Sequence, residues 1–128
     1  MSEMSYQIDI RCQPGYLYVQ AWGIRSGKNL RAMVKDYLKA NEEHGYKKIL
    51  VDVRSMTGKL TAFDASSFGN AALEGLESVD SDMKTAIVDL EENRKRFSFL
   101  EDDSVNTGYK LRFFSKTADA QRWLSKSK

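Results

Sequence analysis

Side chains suited to acid–base or nucleophilic chemistry are scarce in this sequence. It has one histidine, His44, and one cysteine, Cys12. His44 stands beside Gly45 and among Glu42, Glu43 and Lys47, which reads as a solvated helix terminus and not as a catalytic base. Cys12 falls at a strand end with no histidine near it in sequence, so a structural thiol is expected. Zinc sites draw on several Cys or His residues at set spacings. No such cluster occurs, and neither a metal nor another cofactor is expected. Gly23-Ile24-Arg25-Ser26-Gly27-Lys28 has a faint likeness to a phosphate loop, without the full glycine spacing or the Lys-Ser/Thr ending. The remaining candidates are Asp52 and Asp89, which end apolar runs where α/β proteins place ligands. Carboxylates alone do not define a reaction, and the expectation is a non-enzymatic chain.

The elements that must position these residues are legible from periodicity. Tyr6, Ile8 and Ile10 alternate with Gln7, Asp9 and Arg11, as in a half-buried strand reaching Cys12. Pro14-Gly15 turns the chain into a second extended run, Tyr16 to Trp22, rich in aromatic and β-branched residues. Gly23 to Gly27 reads as a loop. Leu30, Met33, Val34, Tyr37 and Leu38 then recur at helical spacing, and Gly45 sits where a helix-ending glycine belongs. Lys48 to Val53 is nearly all apolar, as in a central parallel strand covered on both faces. Thr61 and Asp64 form a capping pattern that opens a second helix. Lys84 to Leu90 is the next strand, and Asn93 to Thr107 a third helix. Tyr109 to Phe114 is the fifth strand, after which Thr117 caps a last helix carrying Ala120, Trp123 and Leu124. The order ββαβαβαβα predicts a single-domain α/β fold over residues 1–128, with a mostly parallel five-stranded sheet and an antiparallel first strand.

Length and composition agree with one soluble domain. A chain of 128 residues with 41% hydrophobic and 30% charged residues can bury a core of its own. No apolar run approaches the roughly 20 residues of a membrane helix. The first residues lack the layout of a secretion signal, and one cysteine allows no internal disulfide, so the cytoplasm is expected. A net charge of +2 and a pI of 8.6 are too low to argue for nucleic acid.

The residues also carry a family likeness. Ile49-Leu50-Val51-Asp52-Val53, Lys84-Thr85-Ala86-Ile87-Val88, Gly108 to Phe114 and Ala118 to Leu124 resemble the SpoIIAA-like branch of the STAS superfamily. The likeness covers roughly Tyr16 to Leu124. It implies a regulatory module that docks on a protein partner, such as a regulatory kinase, and is switched by serine phosphorylation. The family's switch motif opens the helix after the central strand. Here Asp64-Ala65-Ser66-Ser67-Phe68-Gly69 is similar, with an inserted alanine and a phenylalanine in place of glycine. Ser66 and Ser67 are thus the implied phosphoacceptors, and helical spacing turns Ser67 toward solvent. The fold is also similar to CRAL-TRIO lipid-binding modules, which implies a lipid or anionic metabolite as the alternative ligand.

Charge placement suggests where a partner would dock. Loops leaving the carboxyl ends of the strands hold Arg25, Lys28, Arg54, Lys59, Arg94, Lys95, Arg96 and Lys116, against Glu91 and Glu92. Loops at the opposite end are mostly acidic. A cationic carboxyl edge that attracts a small anion or an acidic partner face is therefore expected. Phe63 and Phe99 fall off the apolar stripes of their helices and are candidate contact residues. A homodimer is a further possible assembly.

Overall fold

Alternation of apolar and polar residues from Tyr6 onward buries one face of a strand, and Gly15 turns the chain back with φ of 89°. In the computed structural model, which describes residues 6–58, 83–96 and 110–126, these residues form β1 (Tyr6–Gln13) and β2 (Tyr16–Ile24). The two pair antiparallel, from Tyr6 opposite Gly23 to Gln13 opposite Tyr16. The chain continues through α1 (Gly27–His44), β3 (Lys48–Thr57), β4 (Lys84–Val88), α2 (Glu91–Arg96), β5 (Lys110–Phe114) and α3 (Thr117–Ser125). The strands make one sheet in chain order, β1-β2-β3-β4-β5, parallel from β2 onward. This is the mixed sheet that the sequence predicts. The helix expected to open at Thr61, and most of the one expected from Asn93 to Thr107, lie outside the described residues.

The two faces of the sheet are covered by different helices. Leu17, Val19, Ala21, Ile49 and Val51 point to one face and pack with Leu30, Met33, Val34 and Tyr37 of α1. Leu50, Ala86 and Val88 point to the other and pack with Ala120 and Leu124 of α3. The central strand β3 is thereby buried on both sides, which is why its first half has no polar alternation. Helix α1 is bounded as its sequence suggests. Ser26 Oγ accepts from the Asn29 backbone N–H at 3.1 Å, and left-handed Gly45 (φ 69°) donates to the Asn41 carbonyl at 2.7 Å.

Several boundaries differ from expectation: β4 ends at Val88 and not at Leu90, and α2 opens at Glu91 and not at Asn93. The segment read as a loop from Gly23 is shorter, because β2 continues to Ile24 and the helix starts at Gly27. Strand β3 runs to Thr57, well past Val53, because it contains a bulge. Gln20 pairs with Asp52 but Trp22 with Ser55, so β3 accommodates an extra residue before resuming the ladder. Thr117 is the first residue of α3 and not its cap. That position belongs to Lys116, which makes no side-chain cap bond. The Thr117 hydroxyl instead accepts from Arg54 Nη2 at 3.0 Å.

One contact between β1 and α1 gives a direct test of the docking of the edge strand. The Tyr6 hydroxyl donates to the Asp36 carboxylate. That bond, with smaller contributions from burial and from the Asp36 charge, pushes the phenol up to about 12. A phenol raised in the folded state contributes stability below its unfolded pKa of about 10, lost as pH rises through the folded value. Tyr6→Phe is expected to flatten the fall in stability between about pH 10 and 12. It should also remove a phenol that titrates near 12 from an absorbance titration. An unchanged alkaline titration would show that Tyr6 is not held by Asp36.

Candidate functional site

The carboxyl edge of the sheet, where the strand-end carboxylates were expected to mark a site, is built around two arginine–aspartate pairs. The bulge in β3 frees the Arg54 backbone N–H from the ladder, and Asp52 Oδ1 accepts it at 3.1 Å. The same carboxylate takes Arg54 Nε at 3.0 Å and Nη2 at 2.8 Å, and Tyr18 donates to it at 3.4 Å. Asp52 is buried while the Arg54 side chain is 40% exposed. The carboxylate raises the pKa of Arg54, chiefly through these hydrogen bonds. Asp52 therefore braces the bulge.

The second pair is interior. Arg25 follows β2 immediately, and its backbone N–H donates to the Thr57 carbonyl at 2.7 Å. Its side chain turns inward. Nη1 donates to the Met56 and Gly58 carbonyls at 3.2 and 3.0 Å, and Nη2 to the Val53 carbonyl at 2.9 Å and Asp89 Oδ1 at 2.8 Å. The four terminal N–H bonds of the guanidinium are thus used inside the protein. Asp89 Oδ1 also accepts from the Leu90 backbone at 2.7 Å and from Asn93 Nδ2 at 3.3 Å. Burial pushes the Asp89 carboxyl up, and the Arg25 guanidinium opposes that rise. Beside this pair, Leu30, Met33, Val34, Tyr37 and Phe113 help to line an apolar cavity of about 30 Å³. That is room for a single water and not for a metabolite.

One similar structure is an anti-sigma factor antagonist from Mycobacterium paratuberculosis, with a TM-score of 0.65, 12% identity and 98% of each chain covered. Another is an uncharacterized protein of the DUF3478 family with a SpoIIAA-like fold from Shewanella loihica PV-4. It has a TM-score of 0.54 and 18% identity over 94% of this chain and 93% of that one. The chain has the SpoIIAA-like fold. No family model matches the sequence, and no curated protein matches it.

On this SpoIIAA-like sheet the cations expected at the carboxyl edge have different surroundings. Arg25 is corrected from an edge cation to a buried structural group, 5% exposed, because Asp89 and three carbonyls hold it inside. Arg54 is held by Asp52, and Arg94 makes a two-bond contact with Glu91 through Nε at 3.2 Å and Nη2 at 3.1 Å. Lys28, Lys95 and Lys116 are exposed. Lys59, Phe63, Ser66, Ser67 and Phe99, with the side chain of Arg96, lie outside the described residues. The opposite end of the sheet carries a row of lysines. Lys48, Lys84 and Lys110 stand in register across β3, β4 and β5.

Sequence reading also missed two features. Among the described residues, the exposed large apolar side chains Trp22 (37%) and Leu90 (45%) both sit toward the carboxyl edge, on β2 and just after β4. The second lies at the far end of β1. Cys12 and His44, 32 residues apart, come together with Sγ 3.5 Å from Nδ1 and 3.9 Å from Nε2. Only the antiparallel register of β1 and the length of α1 together place them there.

Proposed function

We propose that this chain is a non-catalytic regulatory module that works by docking a protein partner on the carboxyl edge of its sheet. The observation that carries this reading is the state of that edge. Its interior is filled by a fully hydrogen-bonded Arg25–Asp89 pair, while Trp22 and Leu90 present apolar surface beside it. A site for small-molecule chemistry would need polar groups aimed into a cavity. The described residues of this edge instead offer exposed apolar side chains, with Lys28, Arg54 and Lys116 among the cations of the same edge, a composition suited to docking a protein. The likeness to an anti-sigma factor antagonist supports the same class of role. Within this reading the partner is a regulatory kinase or a second copy of the chain, and phosphate on Ser66 or Ser67 would be the switch.

The test is a binding comparison between wild type and the Trp22→Ala, Leu90→Ser variant, with the partner identified from the source cells by cross-linking. Loss of a central aromatic anchor costs about 2 kcal/mol or more. The double variant is therefore expected to bind at least thirtyfold more weakly at an unchanged melting temperature. Equal binding by both proteins would move the docking face elsewhere. A small molecule co-purifying with the native chain, with no protein retained, would replace this reading by a ligand-binding one.

A further inference from the structure

The cluster at the amino end of the sheet, around Cys12, is distinct from the carboxyl edge and does not depend on the function proposed above. Cys12 lies on β1, an edge strand of the sheet, on the same side as Tyr6, Ile8 and Ile10 and therefore toward α1. His44 is the last residue of α1. Both side chains are exposed.

Their placement is fixed by a rigid frame. Asn41 grips the backbone of Tyr46 twice, with Nδ2 donating to its carbonyl at 2.8 Å and Oδ1 accepting its N–H at 3.1 Å. Left-handed Gly45 completes the turn between them. The Tyr46 hydroxyl then donates to the Gln13 carbonyl at 2.9 Å, tying the end of β1 to the segment that carries His44. The thiol is close enough to Tyr46 to help raise its phenol, after the larger effect of burial.

Two properties of this pair fit a metal better than an isolated thiol. In a tetrahedral zinc-type site, M–S of about 2.3 Å and M–N of about 2.05 Å place sulfur and nitrogen about 3.6 Å apart. The observed Sγ···Nδ1 distance is 3.5 Å. The pair also sits at the carboxyl end of an 18-residue helix, with exposed Glu42 and Glu43 beside it. Helix-terminal carbonyls and carboxylates favour a cation there.

One chain supplies two of the four ligands such a metal takes, and no cluster of three or more potential ligands occurs among the described residues. Among the described residues β1 pairs only with β2, so its outer side is the edge along which a second copy would approach. We propose that Cys12 and His44 form half of a Cys₂His₂ site for a zinc-class divalent cation, completed by the same two residues of a second copy. The coordinated sulfur is the thiolate, so each thiol releases its proton to solvent as the metal binds.

Cobalt(II) is the probe, added to the 128-residue chain kept reduced by a phosphine. The expected result is a thiolate-to-cobalt charge-transfer band with tetrahedral ligand-field intensity, saturating at one cobalt per two chains. Sedimentation should show monomer converting to dimer over the same titration. Cys12→Ser and His44→Ala are each expected to abolish the band, and both are surface changes whose folding circular dichroism can confirm. Tyr46→Phe, which removes the hydroxyl that ties β1 to this turn and lies beside the Cys12 thiol, is expected to weaken cobalt binding by about ten- to hundredfold while leaving both ligands in place. Absence of the band, or saturation at one cobalt per chain with the protein still monomeric, would overturn the bridged site.

Discussion

Arg25→Ala is expected to destabilise the fold by about 3–5 kcal/mol at neutral pH, the range seen when one partner of a buried ion pair is removed. Two losses combine. Asp89 becomes an unpaired carboxylate in a site where it is 2% exposed, and the Val53 and Met56 carbonyls lose the donor that reached them. Arg25→Lys is expected to rescue little, because a point-like ammonium has three donors and cannot match the planar fork aimed at four acceptors. The pH dependence has a defined sign. The folded-state pKa of Asp89 already lies above 3.8, and without the guanidinium nothing comparable opposes burial. Stability from a carboxyl raised in this way is present below its unfolded pKa and is lost as pH rises through its folded pKa. The deficit of Arg25→Ala should therefore grow from near pH 3.8 upward, and shrink on acidification. Replacing both partners, as Arg25→Met with Asp89→Leu, should be less damaging than Arg25→Ala alone. Chemical denaturation at pH 7 and near pH 4.5 measures each of these, and a cost for Arg25→Ala below about 1 kcal/mol would show the clamp to be dispensable.

The same arginine shows where sequence reading stops. Strand and helix positions were legible because they rest on local periodicity. Alternation marked β1, the apolar run marked β3, and Ser26 and Gly45 bound α1 as short-range hydrogen bonding requires. Site composition is a matter of side-chain direction, and direction depends on register. Arg25 follows a strand in a Gly-rich stretch, which in sequence is indistinguishable from a solvated loop cation. It points inward because the β3 bulge turns the Val53 carbonyl, and Met56 and Gly58 beyond it, toward the end of β2. Nothing between Asp52 and Ser55 announces that bulge, although Asp52 two residues before Arg54 is the residue that braces it. The Cys12–His44 pair was hidden for a related reason. A search for ligand spacing looks along the chain, whereas these residues meet across a strand edge and a helix end. Thr117 misled in the opposite way. It has the composition of a cap, but its hydroxyl is occupied by Arg54, a partner 63 residues away.

Leu124→Ala is the substitution expected to release α3 from the sheet. This helix has nine residues, too few to persist on propensity alone, so its structure depends on what it packs against. Two kinds of contact hold its carboxyl half. Leu124 and Ala120 are fully or nearly fully buried against Leu50, Ala86 and Val88. Lys84, at the start of β4, donates from Nζ to the Trp123 carbonyl at 2.9 Å and lies 4.4 Å over the Trp123 ring. The magnitudes rank them. Removing a buried leucine costs about 2–5 kcal/mol, with the upper part of the range reached where neighbours cannot close the cavity. Strands β3 and β4 cannot move inward here, because α1 packs on the other side of the sheet. The charged hydrogen bond of Lys84 gives back part of its gain. Burial, with Lys48, Lys110 and Lys126 nearby, lowers the Lys84 pKa and so disfavours its charged form. Leu124→Ala is accordingly expected to destabilise more than Lys84→Met. Hydrogen exchange should show the difference as loss of protection across residues 117–125 while α1 stays protected. If Lys84→Met releases α3 and Leu124→Ala does not, the helix is held by its charged cap and not by its apolar face.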